Sequence, residues 1–240
     1  MNFLDPIPHT LKTLEPLFNN NAIYLNSILR DLDRDTVKNN MKLSDKLLPH
    51  VQKIIKNFSG NYKNGRQAIF TYRGAVFKAI DSFSLTKKQI DFAQNHFKIL
   101  SGLYGVLTPL DGIEEYRMDM KTILKTKEAI NMYSYWRKNI TDYFVNINSD
   151  QVIINLASNE YSKVINFSKI KTPVLNISFG EISNNQIKYP PMYSKMARGL
   201  MAGYIIRNYI TEPEELKAFN LDSYKFNENV SNKNHFIFNR

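Results

Sequence analysis

The residues whose types and spacing could do chemistry are concentrated between Ile99 and Met120, in ILSGLYGVLTPLDGIEEYRMDM. Ser101-Gly102-Leu103-Tyr104-Gly105 is a Gly-x-x-Gly turn. Where such a turn follows a helix, consecutive backbone N–H groups can face outward and bind a phosphate without reading sequence. The same residues also suit a simple helix stop at Gly102 followed by a tight turn. Downstream, Asp111, Glu114, Glu115, Arg117 and Asp119 fall within nine residues. Their carboxylates could ligate a hard cation through oxygen or pair with nearby cations, but no EF-hand spacing is present.

Two further clusters carry reactive groups. Asn155 to Tyr161 (NLASNEY) places polar residues directly after the apolar run Val152–Ala157. In open α/β sheets ligand crevices lie off the carboxyl ends of strands. There Asn159 and Glu160 could do acid–base work, with Tyr161 as a proton donor. The competing reading is a capping turn made by Ser158 and Asn159. In Tyr193-Ser-Lys-Met-Ala-Arg-Gly, Lys195 and Arg198 stand three apart and so share a helical face. With Tyr193 they could grip a phosphate, or they could be surface charge beside packing residues. His9, His50, His96 and His235 are scattered, with no H-E-x-x-H spacing. The chain has no cysteine, which excludes a thiol nucleophile and Cys-ligated iron or zinc. It also fits a reducing cytoplasm.

The elements that must position these groups read as one α+β domain over residues 1–240, a central mixed sheet surrounded by helices. With 240 residues, 43% of them hydrophobic, and 14 Tyr and 15 Phe, there is material for a large core. No apolar run approaches the roughly 20 residues that span a bilayer, and MNFLDPIPHT lacks the order of a signal peptide. Apolar spacing predicts helix from Leu11 onward, a second helix opened by Ser44, and another over 131–144 that carries the only Trp, Trp136. Thr86 with Gln89 forms a capping box for a helix whose apolar face runs Ile90, Ala93, Phe97, Leu100. AIFTY at Ala68 reads as β-like and Val152–Ala157 as a central buried strand. Val174–Phe179 and Gln186–Tyr189 look paired around Asn184-Asn185. Tyr193–Ile210 reads as a long helix, Thr211 as the cap of a last short one, and His235–Phe238 as a terminal strand.

Net charge is +10, unevenly spread. Between Met41 and Ala79 eight cationic residues, Arg66 and Arg73 among them, face a single acid, Asp45. Such a face suits phosphate-rich partners, although in an Asn- and Lys-rich chain it also serves as solvated surface.

Taken in order, six segments resemble the YaaA family of peroxide-stress proteins. They are MKLSDKL at Met41, AIFTYRGAVFKAID at Ala68, DFAQNHFKILSGLYGVLTPLDGIEEYRMDM at Asp91, NLASNEY at Asn155, YSKMARGLMAGYII at Tyr193 and LKAFNLDSYKF at Leu216. The resemblance implies an α+β fold with a helix-hairpin-helix-like element, here on Ser101 to Gly105, and a positively charged cleft. It implies double-stranded DNA binding in the cytoplasm, mainly through backbone contacts, and protection of DNA by lowering free iron. It brings no cofactor and no firmly attached reaction. On this reading Arg73, Ser101, Gly102, Tyr104, Gly105, Arg117, Lys195 and Arg198 contact DNA. An enzyme on a nucleotide or base, using Asn159, Glu160 and Tyr161 with Tyr104 or Tyr116 stacking, is the alternative. A carboxylate iron site at Glu114 and Asp119 is a third reading. Against the family pattern the chain lacks an opening strand with a Ser-Pro-Ala-Lys-Thr motif. It has Ala75 for an acid, Thr108 for an Arg and Met196 for a Lys.

Overall fold

A computed structural model describes residues 1–148, 150–183 and 186–240. In chain order the elements are α1 (Asn19–Asp31), α2 (Arg34–Asn40), α3 (Leu48–Asn57), β1 (Arg66–Gln67), α4 (Ala68–Thr71), α5 (Ala75–Ile80), α6 (Lys87–His96), β2 (Ile99–Ser101), β3 (Gly105–Leu107) and β4 (Gly112–Ile113). They continue with α7 (Met132–Val145), β5 (Ile153–Asn155), α8 (Asn159–Ser162), β6 (Val174–Ser183), β7 (Gln186–Lys188), α9 (Pro191–Asn208), β8 (Lys225–Phe226) and β9 (His235–Asn239). The main sheet runs β5-β6-β9-β8, with β7 pairing the far end of β6. It is mixed: β6 is parallel to β5 and β9, while β7 and β8 are antiparallel to their neighbours. β1–β4 and β2–β3 are separate two-stranded ladders. The architecture is the expected α+β one with a central mixed sheet.

Three apolar clusters hold the elements together. One surrounds Trp136 on α7 and takes in α1, α3 and the β2–β3 hairpin. A second packs Phe179, Phe219, Tyr224 and Phe238 between the sheet and Ala197 and Met201 of α9. The third packs α4, α5 and α6 against Ala202 and Ile206 of the same helix. So α9 is apolar on two sides, which is why its sequence shows little one-sided periodicity. The crossing of α5 and α9 is close: a Cβ on Gly199 would lie 2.2 Å from the Val76 carbonyl oxygen.

Several sequence expectations are corrected here. Residues 11–16 are not helical, because Leu14 donates to Leu110 O and accepts from Gly112 N, and the helix begins only at Asn19. Ser44 lies in a turn ahead of α3, which starts at Leu48 with Pro49 in its first turn. AIFT is one helical turn: Ala68 and Ile69 donate to the loop carbonyls of Asp111 and Pro109 rather than to a strand. The capping box of Thr86 and Gln89 forms as read. The helix nonetheless ends at His96, where Lys98 Nζ bonds the carbonyls of Gln94 and Asn95. Phe97 turns extended and Ile99–Ser101 become strand. Val152–Ala157 contributes a three-residue edge strand, half-buried, whereas the terminal strand β9 is an inner one. Thr211 caps nothing: Pro213–Ala218 is a 3-10 helix entered at Glu212 with no side-chain cap. Strands β6 and β7 pair as read, and the Asn184-Asn185 link lies outside the described residues.

Candidate functional site

The Gly-x-x-Gly turn joins two antiparallel strands, with Ile99 opposite Leu107 and Ser101 opposite Gly105. It is therefore not flanked by helices, and the helix-hairpin-helix-like element is not built on Ser101–Gly105. Its interior is fixed by Trp136, which is fully buried and donates from Nε1 to Gly102 O at 2.8 Å. Gly105 has φ +68°, and a Cβ there would lie 2.6 Å from the Trp136 ring. Only glycine meets both demands. On the other side Gly102 presses on the backbone of Met118 and Asp119.

The turn amides are already used. Leu103 N and Tyr104 N donate to Ser101 Oγ at 3.2 and 3.0 Å. Ser101 and Tyr104 are 2% and 1% exposed, and both glycines are buried. The open phosphate nest expected at Ser101, Gly102, Tyr104 and Gly105 is corrected on this ground, as is a base stacked on Tyr104. What the hairpin does instead is position Tyr116. Ser101 Oγ lies 2.7 Å from Tyr116 Oη, which lies 2.6 Å from Tyr72 Oη. Burial pushes all three nearby phenols, Tyr72, Tyr116 and Tyr161, above the ordinary tyrosine range. The Tyr161 hydroxyl feels Tyr116 and Asp119 as well. So three segments meet around one hydroxyl: the hairpin, the turn after α4 and the start of α8. Local spacing in the sequence does not show Tyr116 as the point where these segments meet.

From Tyr72 the chain passes through Arg73 and Gly74 into α5. Arg73 pairs with Asp5, and its guanidinium lies 4.6 Å from the Phe83 ring centroid. α5 packs on α9 at Gly199, next to Arg198. Arg198 is half-buried, desolvation lowers its pKa, and it has no hydrogen bond or ion pair among the described residues. Lys195 and Arg117 are exposed. Tyr193 is half-exposed and lies under the Arg240 guanidinium at 5.2 Å.

The crevice carboxylate is occupied. Glu160 Oε2 pairs with Lys121 Nζ at 2.6 Å, and its side chain is 24% exposed. That engagement suits a structural role more than a free general base. Ser158 O accepts from Tyr161 N and Ser162 N, so Ser158 stands at the start of α8, but no side-chain cap bond forms there. Glu114 accepts from Ser59 N and Gly60 N, and Asp119 from Lys121 N. Neither is arranged as an iron ligand, and among the described residues no group of three or more His, Asp or Glu side chains could hold a metal. Asp111, 4% exposed, accepts from Thr108 N and Oγ1 at 2.8 and 2.6 Å. Thr108 thus locks a turn. Among the described residues no helix is long and apolar enough to cross a membrane.

The chain matches the family model described as peroxide stress protein YaaA over residues 1–230. It is similar to a UPF0246 protein of Francisella philomiragia, 39% identical over 94% of this chain and 91% of the relative. A UPF0246 protein of Crocosphaera subtropica is 35% identical over 95% and 91%. One of Flavobacterium psychrophilum is 35% identical over 100% and 96%.

Proposed function

The chain belongs to the peroxide stress protein YaaA family, and on that premise we propose that it binds double-stranded DNA through a basic face and helps limit iron-dependent oxidative damage to DNA. One observation carries the reading. Arg198 is a half-buried guanidinium on α9 with no anionic partner among the described residues. A desolvated cation left unpaired is costly unless an anion completes it. Lys195 stands one turn away on the same face of the helix. Arg73, at the entry to α5, and Arg117, beside Tyr116, extend the positive surface. Phosphates are the partner with matching charge and geometry, and contacts of this type read backbone more than sequence. The hairpin contributes by holding Tyr116 and Tyr72 in place, not by donating amides. The link to iron rests on family membership alone.

A mobility shift on duplex DNA at two salt concentrations tests this. Binding should weaken steeply with salt, because neutralised phosphates release counterions. Lys195→Glu/Arg198→Glu should abolish the shift while leaving the circular dichroism spectrum intact. A salt-independent shift, or an unimpaired double variant, contradicts the reading.

A further inference from the structure

Arg66 is the most deeply buried cation near the basic face. It lies on β1, is 9% exposed, and its Nε and Nη2 are buried with no hydrogen-bond partner. Nη1 is the edge left to reach the surface. Its guanidinium lies over the ring of Phe83 at 5.9 Å, and that of Arg73 lies over the same ring at 4.6 Å. Two cations therefore converge on one aromatic ring, which holds them by cation–π attraction. One carboxylate, Asp5, is the nearby counter-charge to both. Asp5 bonds Arg73 Nη2 and takes Asn2 Nδ2 at 2.7 Å, but makes no bond to Arg66.

The segment that delivers Asp5 is lightly held. Asn2 N donates to Thr71 O at 2.8 Å, and Asn2 Oδ1 accepts from Leu4 N and Asp5 N within the segment itself. The Asp5 side chain is 52% exposed. A half-exposed pair of this kind contributes little to stability. The unsatisfied Arg66 donors, in contrast, demand an acceptor.

We propose that Arg66 and Arg73 form a phosphate-binding site, and that Asp5 is its intramolecular occupant, displaced when a phosphate group enters. A tetrahedral phosphate offers oxygens to Arg66 Nη1 and to the Arg73 fork at once, which a single carboxylate held at Arg73 does not. The phosphate has two sources, a free phosphate or phosphomonoester and a DNA backbone. As a seat for a DNA phosphate the site rests on the DNA-binding reading above. For a free phosphate it stands independently.

Two ligands separate the cases. Inorganic phosphate is titrated by calorimetry, and a fluorescent duplex without terminal phosphates by anisotropy. Each is tried on the full chain and on Asp5→Asn, Arg66→Met and the double variant. Asp5→Asn should tighten phosphate binding about tenfold, the gain expected if the carboxylate closes the site roughly nine-tenths of the time. Arg66→Met should remove binding in both backgrounds. Equal tightening for the duplex assigns the site to DNA, whereas tightening for phosphate alone assigns it to a monoester. Loss of duplex binding in Lys195→Glu/Arg198→Glu, with the Asp5→Asn gain in phosphate affinity intact, leaves this site standing whatever becomes of the duplex. An unchanged phosphate and duplex affinity in Asp5→Asn overturns the proposal, and that variant leaves the core untouched even if Arg66→Met misfolds.

Discussion

At Ser101 a single oxygen takes two backbone N–H bonds and shares a proton with Tyr116 Oη. Removing it leaves two buried donors without acceptors, at roughly 1–3 kcal/mol for each group. Ser101→Ala should therefore cost about 2–6 kcal/mol in urea unfolding, more than a surface charge change would. A loss below about 0.5 kcal/mol would mean that the amides find other partners. Asp111 offers a second test with a defined sign. Burial raises its pKa, partly offset by the bonds from Thr108. The folded state holds this proton more tightly than the unfolded one, so its contribution falls as pH rises from the ordinary carboxylate range through the raised value. Unfolding free energy measured from pH 4 to 7 should rise less in the natural protein than in Asp111→Asn, which has no proton to lose. Neither role was legible in the sequence. In the sequence Ser101 reads as part of an open nest. The buried Arg66 looked like any of eight cations between Met41 and Ala79. Burial depends on which distant residues cover a side chain, and local spacing does not carry that.

Among the elements, those with strong local signals were legible. The capping boxes of α6 and α7 and the β6–β7 pair follow from short-range chemistry. The stretch from Phe97 to Ser101 was not, because its apolar spacing continues the helical period. A side chain of Lys98 on the last carbonyls and pairing with β3 decide it. Edge and centre of the sheet were likewise inverted. VIINLA is the more apolar run yet forms the edge, since sheet order is set by what packs across it. The α5–α9 crossing supplies a prediction at this scale. Gly199→Ala gains about 1 kcal/mol of helix propensity. Its Cβ, however, meets the Val76 carbonyl at 2.2 Å, and a backbone carbonyl does not move aside as a flexible side chain does. Separating the helices costs about 1–3 kcal/mol, so the net effect should be a lower melting temperature, read by calorimetry. Because Arg198 is the neighbouring residue, DNA affinity should fall in the same variant.

For the molecule as a whole, seven tyrosines, Tyr72, Tyr104, Tyr116, Tyr135, Tyr143, Tyr161 and Tyr224, have pKa values raised chiefly by burial. Unfolded, each loses its proton near pH 10, while the folded chain keeps it. Their stabilising contribution is complete below that pH and is lost as pH climbs above it. Urea midpoints should drop steeply from about pH 10 upward, and Tyr72→Phe/Tyr116→Phe should flatten the drop. The sheet has a consequence of another kind. β6 is the strand shared by β5, β7 and β9, and β8 pairs only with β9. Residues 235–239 leave the ribosome after all of their partners. Until they do, β8 has no neighbour and one side of β6 from Asn176 to Gly180 is bare. A growing chain can close the Trp136 cluster early, but its sheet waits on β9. Synthesis order thus imposes an assembly order, with a bare strand edge open to wrong pairing for as long as translation takes to reach β9.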